Sequence, residues 1–213
     1  MLVNGKVFPI ARGMISLWKD PGNTLSVYDI EDGLKDSWLQ RMSLRYVKLD
    51  RATAELLEER YIPEHPDLKT LLSLPADSLG YQYASHLIAH HFDPNFYRSI
   101  EVNSEVDYLL LRSRQTHDIW HLVTGYDVDV AGELKLKAFE WSQTRRPMAL
   151  VLLVAGLLGA FCTSPRSFLH LWNQIIAGYH LGKQAKPFLA RAWEKEWEKP
   201  LTVWRQELGI RVE

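Results

Sequence analysis

Residues 148–162 read MALVLLVAGLLGAFC, fifteen positions without one charged side chain. A run of this length is too apolar to lie exposed as a loop, because its side chains would forgo burial. A membrane-crossing helix needs about 20 such residues, and runs of about 10–14 more often mark a buried helix. The favoured reading is a central buried helix around which other helices pack. A segment dipping into one leaflet, or a full span, are the alternatives.

The rest of the chain supports helices. Leu34, Trp38, Leu39, Met42 and Tyr46 are spaced by three and four within residues 25–47, which predicts an amphipathic helix. DRATAELLEER (50–60) is helical in pattern, with Asp50 as its N-cap. Pro63, Pro66, Pro75 and Gly80 punctuate the next stretch. A helix should begin near Ser78. Residues 102–124 read as one long helix stopped by Gly125, and ELKLKAFEWSQT forms another before Pro147. Residues 10–19 suggest one short helix. Trp193, Trp197, Leu201, Trp204 and Leu208 form a C-terminal stripe, with Pro200 a kink or restart. The stripe fits a helix packed on the core, with a partner- or membrane-facing surface as the alternative. Strand-like alternation does not recur. The fold class is therefore all-α, a single domain over 1–213 built as a helical bundle with a possible lipid cavity.

Charge narrows the function classes. A formal net charge of −1 leaves no broad basic field for nucleic acid. The single cysteine, Cys162, rules out a disulfide within the chain and suggests a reducing compartment. Its apolar neighbours predict a buried, inert thiol. No basic segment followed by an apolar stretch begins the chain, so a secretory signal is not expected.

The chemistry concentrates in HDIWH (117–121). His117 and His121 stand four apart and so share a helix face, where both imidazoles can reach one ion. Asp118 lies one step round, as an edge ligand or as an orienter of a histidine. After Gly125 the chain turns back, and Glu133 at the start of the next helix should return beside His121. Two nitrogens and one or two carboxylates suit Zn²⁺, Fe²⁺ or Mn²⁺ with positions left open. The competing reading is a histidine pair with an incidental carboxylate. The order differs from the zincin motif, so proteolysis is not indicated. His90 and His91 are adjacent and point apart. His170 and His180, among apolar residues, read as hydrogen-bonded core or rim groups.

HDIWH, eleven residues and then Glu133 resembles the HDxxH-x11-E signature of the ubiquinone biosynthesis protein 4 family. MISLWKDPGNTLSVYDIEDG, LPADSLGYQYASHL (74–87), KAFEWSQTRRPM (137–148) and WEKEWEKPLTVWRQELGI (193–210) resemble further blocks of that family, in the same order. The likeness covers nearly the whole chain.

The resemblance implies an all-helical protein of coenzyme Q assembly. It carries two expectations: oxidative decarboxylation of a prenylated aromatic precursor, in which hydroxyl replaces the C1 carboxylate, or a lipid-binding scaffold that organises the biosynthetic complex. His117, His121 and Glu133 would carry the catalysis, and with Asp118 they would hold a divalent metal: zinc first, then iron, manganese or magnesium. Arg114 matches an arginine of the family pattern and would pair with an anionic head group, with a surface arginine as the alternative. Glu140, seven residues after Glu133, would support the site or form a salt bridge. The expected partners are a prenylated quinone precursor or isoprenoid lipid, other quinone biosynthesis proteins and a membrane surface, without nucleic acid. A homodimer is compatible with the apolar faces. The apolar run, with Ala155, Gly156, Gly159 and Ala160 leaving room, would line a prenyl cavity. The expected location is peripheral on the cytoplasmic side of a membrane, or the matrix side if mitochondrial. Mitochondrial members carry a targeting extension, whereas here the matching region follows Met1 closely, which fits a bacterial-type or processed protein.

Overall fold

A computed structural model describes residues 24–94, 98–163 and 165–212. The short helix expected around 10–19 lies outside them. Eleven α-helices are described: α1 Thr24–Leu34, α2 Trp38–Val47, α3 Arg51–Glu59, α4 Leu68–Leu71, α5 Leu79–Ala89, α6 Glu105–Gln115, α7 His117–Thr124, α8 Val130–Thr144, α9 Pro147–Thr163, α10 Pro165–Gln184 and α11 Leu201–Leu208. A 3-10 turn spans Trp193–Glu196. Among the described residues there is no strand, only an isolated bridge between Ser78 and Pro200. The fold is all-α, as expected.

The chain divides into two compact units, residues 1–47 with 129–183, and residues 48–128 with 184–213. In the first, Leu134, Ala138, Leu153, Leu171 and Ile175 from α8, α9 and α10 form the core. α10 approaches α8 closely. A Cβ on Gly178 would fall on the Lys135 carbonyl, and one on Gly182 would meet Ser142 and, at 2.7 Å, the Phe139 carbonyl oxygen. Helices approach this closely only where side chains are missing.

α8 ends at Arg145, in the left-handed conformation (φ 56°). That conformation is unfavourable for a residue with a Cβ. Here the guanidinium lies 5.2, 5.5 and 5.7 Å from the ring centroids of Tyr46, Trp141 and Tyr179. These cation–π contacts offset the backbone cost. Next to it, Arg146 is buried and pairs with both Glu31 and Glu140.

Two expectations fail in this unit. The predicted 25–47 helix is two helices, and its apolar face is misplaced. Trp38 and Met42 are exposed, while Gln40, Ser43 and Val47 are buried. The cause is what α2 packs against. The last carbonyls of α8 lack intrahelical donors, and Ser43 Oγ donates to Thr144 O at 2.7 Å. Tyr46 Oη donates to Ser142 O. Ser43 is therefore buried because a helix end needs its hydroxyl.

The apolar run forms α9, but it is not a helix buried all round. Met148, Ala149 and Leu153 are buried, whereas Leu150, Val154, Leu158 and Phe161 are exposed. Among the described residues, one face of α9 packs against other helices, α8 foremost, while the positions just named stay exposed. Cys162 lies on the exposed side and is a free, accessible thiol, not a buried one. α10 adds exposed Leu169, Trp172 and Ile176. A Cβ added at Gly159 would meet nothing within 4 Å, so that glycine faces open space.

In the second unit the C-terminal stripe is core. Trp193 and Trp204 are fully buried, 4.7 Å apart by ring centroids, and Phe188 links Trp193 to Trp120. These tryptophans therefore cannot touch a membrane, which corrects the alternative given to that helix. Pro200 marks a restart, as expected: it precedes α11 and follows the 3-10 turn.

Asp50 and Ser78 are N-caps, accepting from Thr53 N and Tyr81 N. The predicted 102–124 helix is broken at Thr116 into α6 and α7. Thr116 Oγ1 donates back to Arg112 O at 2.9 Å, a bond that bends helices and leaves α7 without a side-chain cap.

Candidate metal centre

α7 carries His117, Asp118 and His121, and it ends at Gly125. That residue adopts φ 72° and sends its N–H to His121 O at 2.8 Å. Arg205 of α11 satisfies the adjacent carbonyls, donating to Val123 O and Leu122 O. After the short connector, Asp129 caps α8 by accepting from Gly132 N at 2.7 Å. Glu133 therefore sits in the first turn of α8. A negative side chain is favoured there by the helix dipole.

His117, His121 and Glu133 each offer one ligand atom, and these atoms all lie within 4.8 Å of one another. The two imidazoles stand nearly perpendicular, with centroids 4.8 Å apart. His121 Nδ1 lies 3.0 Å from the Tyr126 carbonyl oxygen. A carbonyl only accepts, so Nδ1 carries the proton and Nε2 keeps its lone pair for a cation. Two imidazole nitrogens and a carboxylate fit a divalent transition metal.

Asp118 is buried on α7, and its charge reaches two residues of α5, Tyr83 and His86. Burial raises the Tyr83 phenol well above its usual range, and the Asp118 carboxylate adds to this. Burial lowers the His86 imidazole, with His90 beside it acting the same way and Asp118 opposing. Tyr83 and His86 stand three apart on a helix packed against α7. The sequence alone singled out neither of them. His86 and His90 are spaced by four, which was a visible signal, but no spacing ties them to Asp118.

Arg114 is buried, and its Nη1 donates to the Arg98 carbonyl at 2.8 Å. The surface alternative is thereby excluded. Glu140 is also buried. Its Oε1 takes Arg146 and its Oε2 takes Lys137, so the carboxylate sits in a salt-bridge network. His90, His91, His170 and His180 are exposed, at the rim and not in the core.

Residues 10–213 match the family described as coenzyme Q (ubiquinone) biosynthesis protein Coq4. The chain belongs to this family. It is 32% identical over 169 residues to the ubiquinone biosynthesis protein COQ4 homolog, mitochondrial, of Rattus norvegicus, covering 77% of this chain and 63% of that protein. The Talaromyces stipitatus ubiquinone biosynthesis protein coq4, mitochondrial, is 32% identical over 190 residues, 87% of this chain and 61% of its own. The chain thus spans less than two thirds of these relatives. A crystal structure of a candidate ubiquinone biosynthesis protein from Nostoc punctiforme superposes with a TM-score of 0.87 at 30% identity, covering 96% of both chains. The Coq4 match runs through α1 to α11 and includes all three converging residues.

Proposed function

We propose that this Coq4-family chain binds one divalent metal at His117, His121 and Glu133, and there performs oxidative decarboxylation of a prenylated aromatic acid in ubiquinone biosynthesis. The convergence of the three ligand atoms within 4.8 Å carries the reading. A bound cation would supply Lewis acidity toward a carboxylate or phenolate oxygen, and iron would add dioxygen chemistry. In the reaction, the ring would lose its C1 carboxylate as carbon dioxide and gain a hydroxyl from water, with dioxygen taking the two electrons and leaving as hydrogen peroxide.

The chain's own residues have definable tasks. The Tyr126 carbonyl holds the His121 ring in its ligating tautomer. Asp118, buried beside His117, serves as a further ligand or as the group that orients an imidazole. Arg114 supplies a buried cation for an anionic head group, and Glu140 fixes the α8 end through Arg146. The family match spans both compact units, which supports reading them as one functional domain.

A specific observation favours a second reading, a scaffold that binds lipid at a membrane surface. Leu150, Val154, Leu158 and Phe161 of α9 and Leu169, Trp172 and Ile176 of α10 are exposed within one unit. An apolar surface of this kind marks contact with lipid, a partner protein or a second copy. No helix among the described residues is long and apolar enough to cross a membrane, so contact would be peripheral. The relatives named above are mitochondrial by name.

Turnover separates the readings. Metal-loaded protein given a carboxylated prenyl-phenol under oxygen should release carbon dioxide, and His121→Ala should not. Lipid that co-purifies without any turnover would move the assignment to the scaffold.

A further inference from the structure

His86 Nε2 is shielded from solvent and has no hydrogen-bond partner among the described residues. Buried polar atoms are almost always paired, so an orphan calls for an explanation. Trp193 and Trp204 also hold unpaired nitrogens, but theirs lie within an aromatic core. His86 lies elsewhere: α5 packs on α7, and the charges His86 senses include Asp118, His121 and His117. Its ring is held by neighbours of its own segment. The His90 centroid is 4.6 Å away and the Phe92 centroid 6.1 Å. An imidazole fixed in place, with an unpaired buried nitrogen on a helix packed against the one that carries two candidate ligands, is prepared for a group that is not part of the chain.

We propose that His86 is a head-group binding residue, its Nε2 hydrogen-bonding an oxygen of the ligand held at the His117–His121–Glu133 site. This rests on the metal reading above. The ligand class is an aromatic carboxylate or phenolate. Such an oxygen can only accept, so the engaged tautomer carries its proton on Nε2. A charged acceptor makes this bond stronger than a neutral one. The metal and His86 would then hold the same head group from α7 and α5, which sets its orientation as well as its affinity.

Cobalt(II) makes the test readable, because its visible spectrum reports both metal binding and a change in its ligands. The full chain is titrated with Co²⁺ and then with benzoate. In His86→Phe, which keeps the ring contacts with His90 and Phe92, Co²⁺ affinity should change by less than about twofold. The half-saturating benzoate concentration should rise about tenfold, the usual effect of one lost charge-assisted hydrogen bond. His86→Gln, which keeps an N–H donor, should recover part of the loss. Equal benzoate binding by wild type and His86→Phe overturns the assignment and leaves the nitrogen to a buried water. Absence of any Co²⁺ spectrum in the wild-type protein would instead remove the metal reading, and this inference with it.

Discussion

The Arg112 guanidinium holds the Glu194 carboxylate by two hydrogen bonds, of 2.6 and 2.9 Å, with both side chains buried. Arg112 Nη2 also donates to the Arg191 carbonyl at 2.7 Å. The pair ties α6 to the 3-10 turn, and α6 leads directly into α7. Removing one member leaves the other charge buried and alone. Glu194→Ala should therefore cost about 3–5 kcal/mol. Urea denaturation monitored by tryptophan fluorescence measures this, and a loss under 1 kcal/mol would show that solvent reaches the pair.

The proposed metal site predicts one equivalent of divalent metal per chain by elemental analysis. His121→Ala should lower occupancy below a tenth. Glu133→Gln, which keeps the shape but loses the charge, should weaken binding about 10- to 100-fold. Acid should release the metal, because protons compete for the imidazole nitrogens. Full occupancy in His121→Ala would place the ion elsewhere.

Gly178 and Gly182 set the distance between α10 and α8. Alanine gains about 1 kcal/mol in helix propensity. Here its Cβ meets backbone carbonyls of Lys135 and Phe139, which cannot rotate away. Overpacking of this kind costs about 1–3 kcal/mol, or more where backbone is struck. Gly182→Ala should thus lower the melting temperature despite its better propensity. A raised melting temperature would mean that the helices separate freely.

His86 gives a pH prediction. Its folded-state pKa lies below the usual 6.5, mainly through burial, with His90, His117 and His121 also opposing its charge and Asp118 favouring it. The unfolded chain then binds a proton that the folded chain resists. This stability is present above pH 6.5 and is lost as the pH falls through the folded value. Between pH 7 and pH 5, His86→Phe should therefore lose less stability than wild type. Parallel urea midpoints across that range would count against the burial effect.

The exposed side of α9 and α10 predicts peripheral binding to anionic vesicles. Leu158→Gln with Leu169→Gln should weaken vesicle affinity at least tenfold, given about 1.5–3 kcal/mol per buried leucine. Both positions are exposed, so the melting temperature should barely move. Unchanged vesicle binding would assign the surface to a protein partner or a second copy.

What the sequence revealed follows the range of the forces involved. Asp50, Ser78 and Gly125 end helices through bonds to residues three or four away, and local pattern predicted each one. His117 and His121 share one helix, and a short connector limits where Glu133 can go, so the converging group was legible too. Readings that depend on a remote neighbour were not. Ser43 is buried because α2 meets the carbonyl end of α8, which hydrophobic periodicity cannot encode. Cys162 is exposed on α9 although an apolar run leads directly up to it. His86 Nε2 is buried without a partner on a helix that packs against α7, about thirty positions on, and no short motif encodes that packing.

The bond from His121 Nδ1 to the Tyr126 backbone has an evolutionary and practical consequence. The choice of which ring nitrogen is left to face a cation is made by a main-chain oxygen, which every amino acid possesses. Position 126 can therefore vary in side chain without disturbing the tautomer, whereas a one-residue deletion in the 125–129 connector would shift a different carbonyl into place. Length, not composition, is the property of that turn on which the histidine depends.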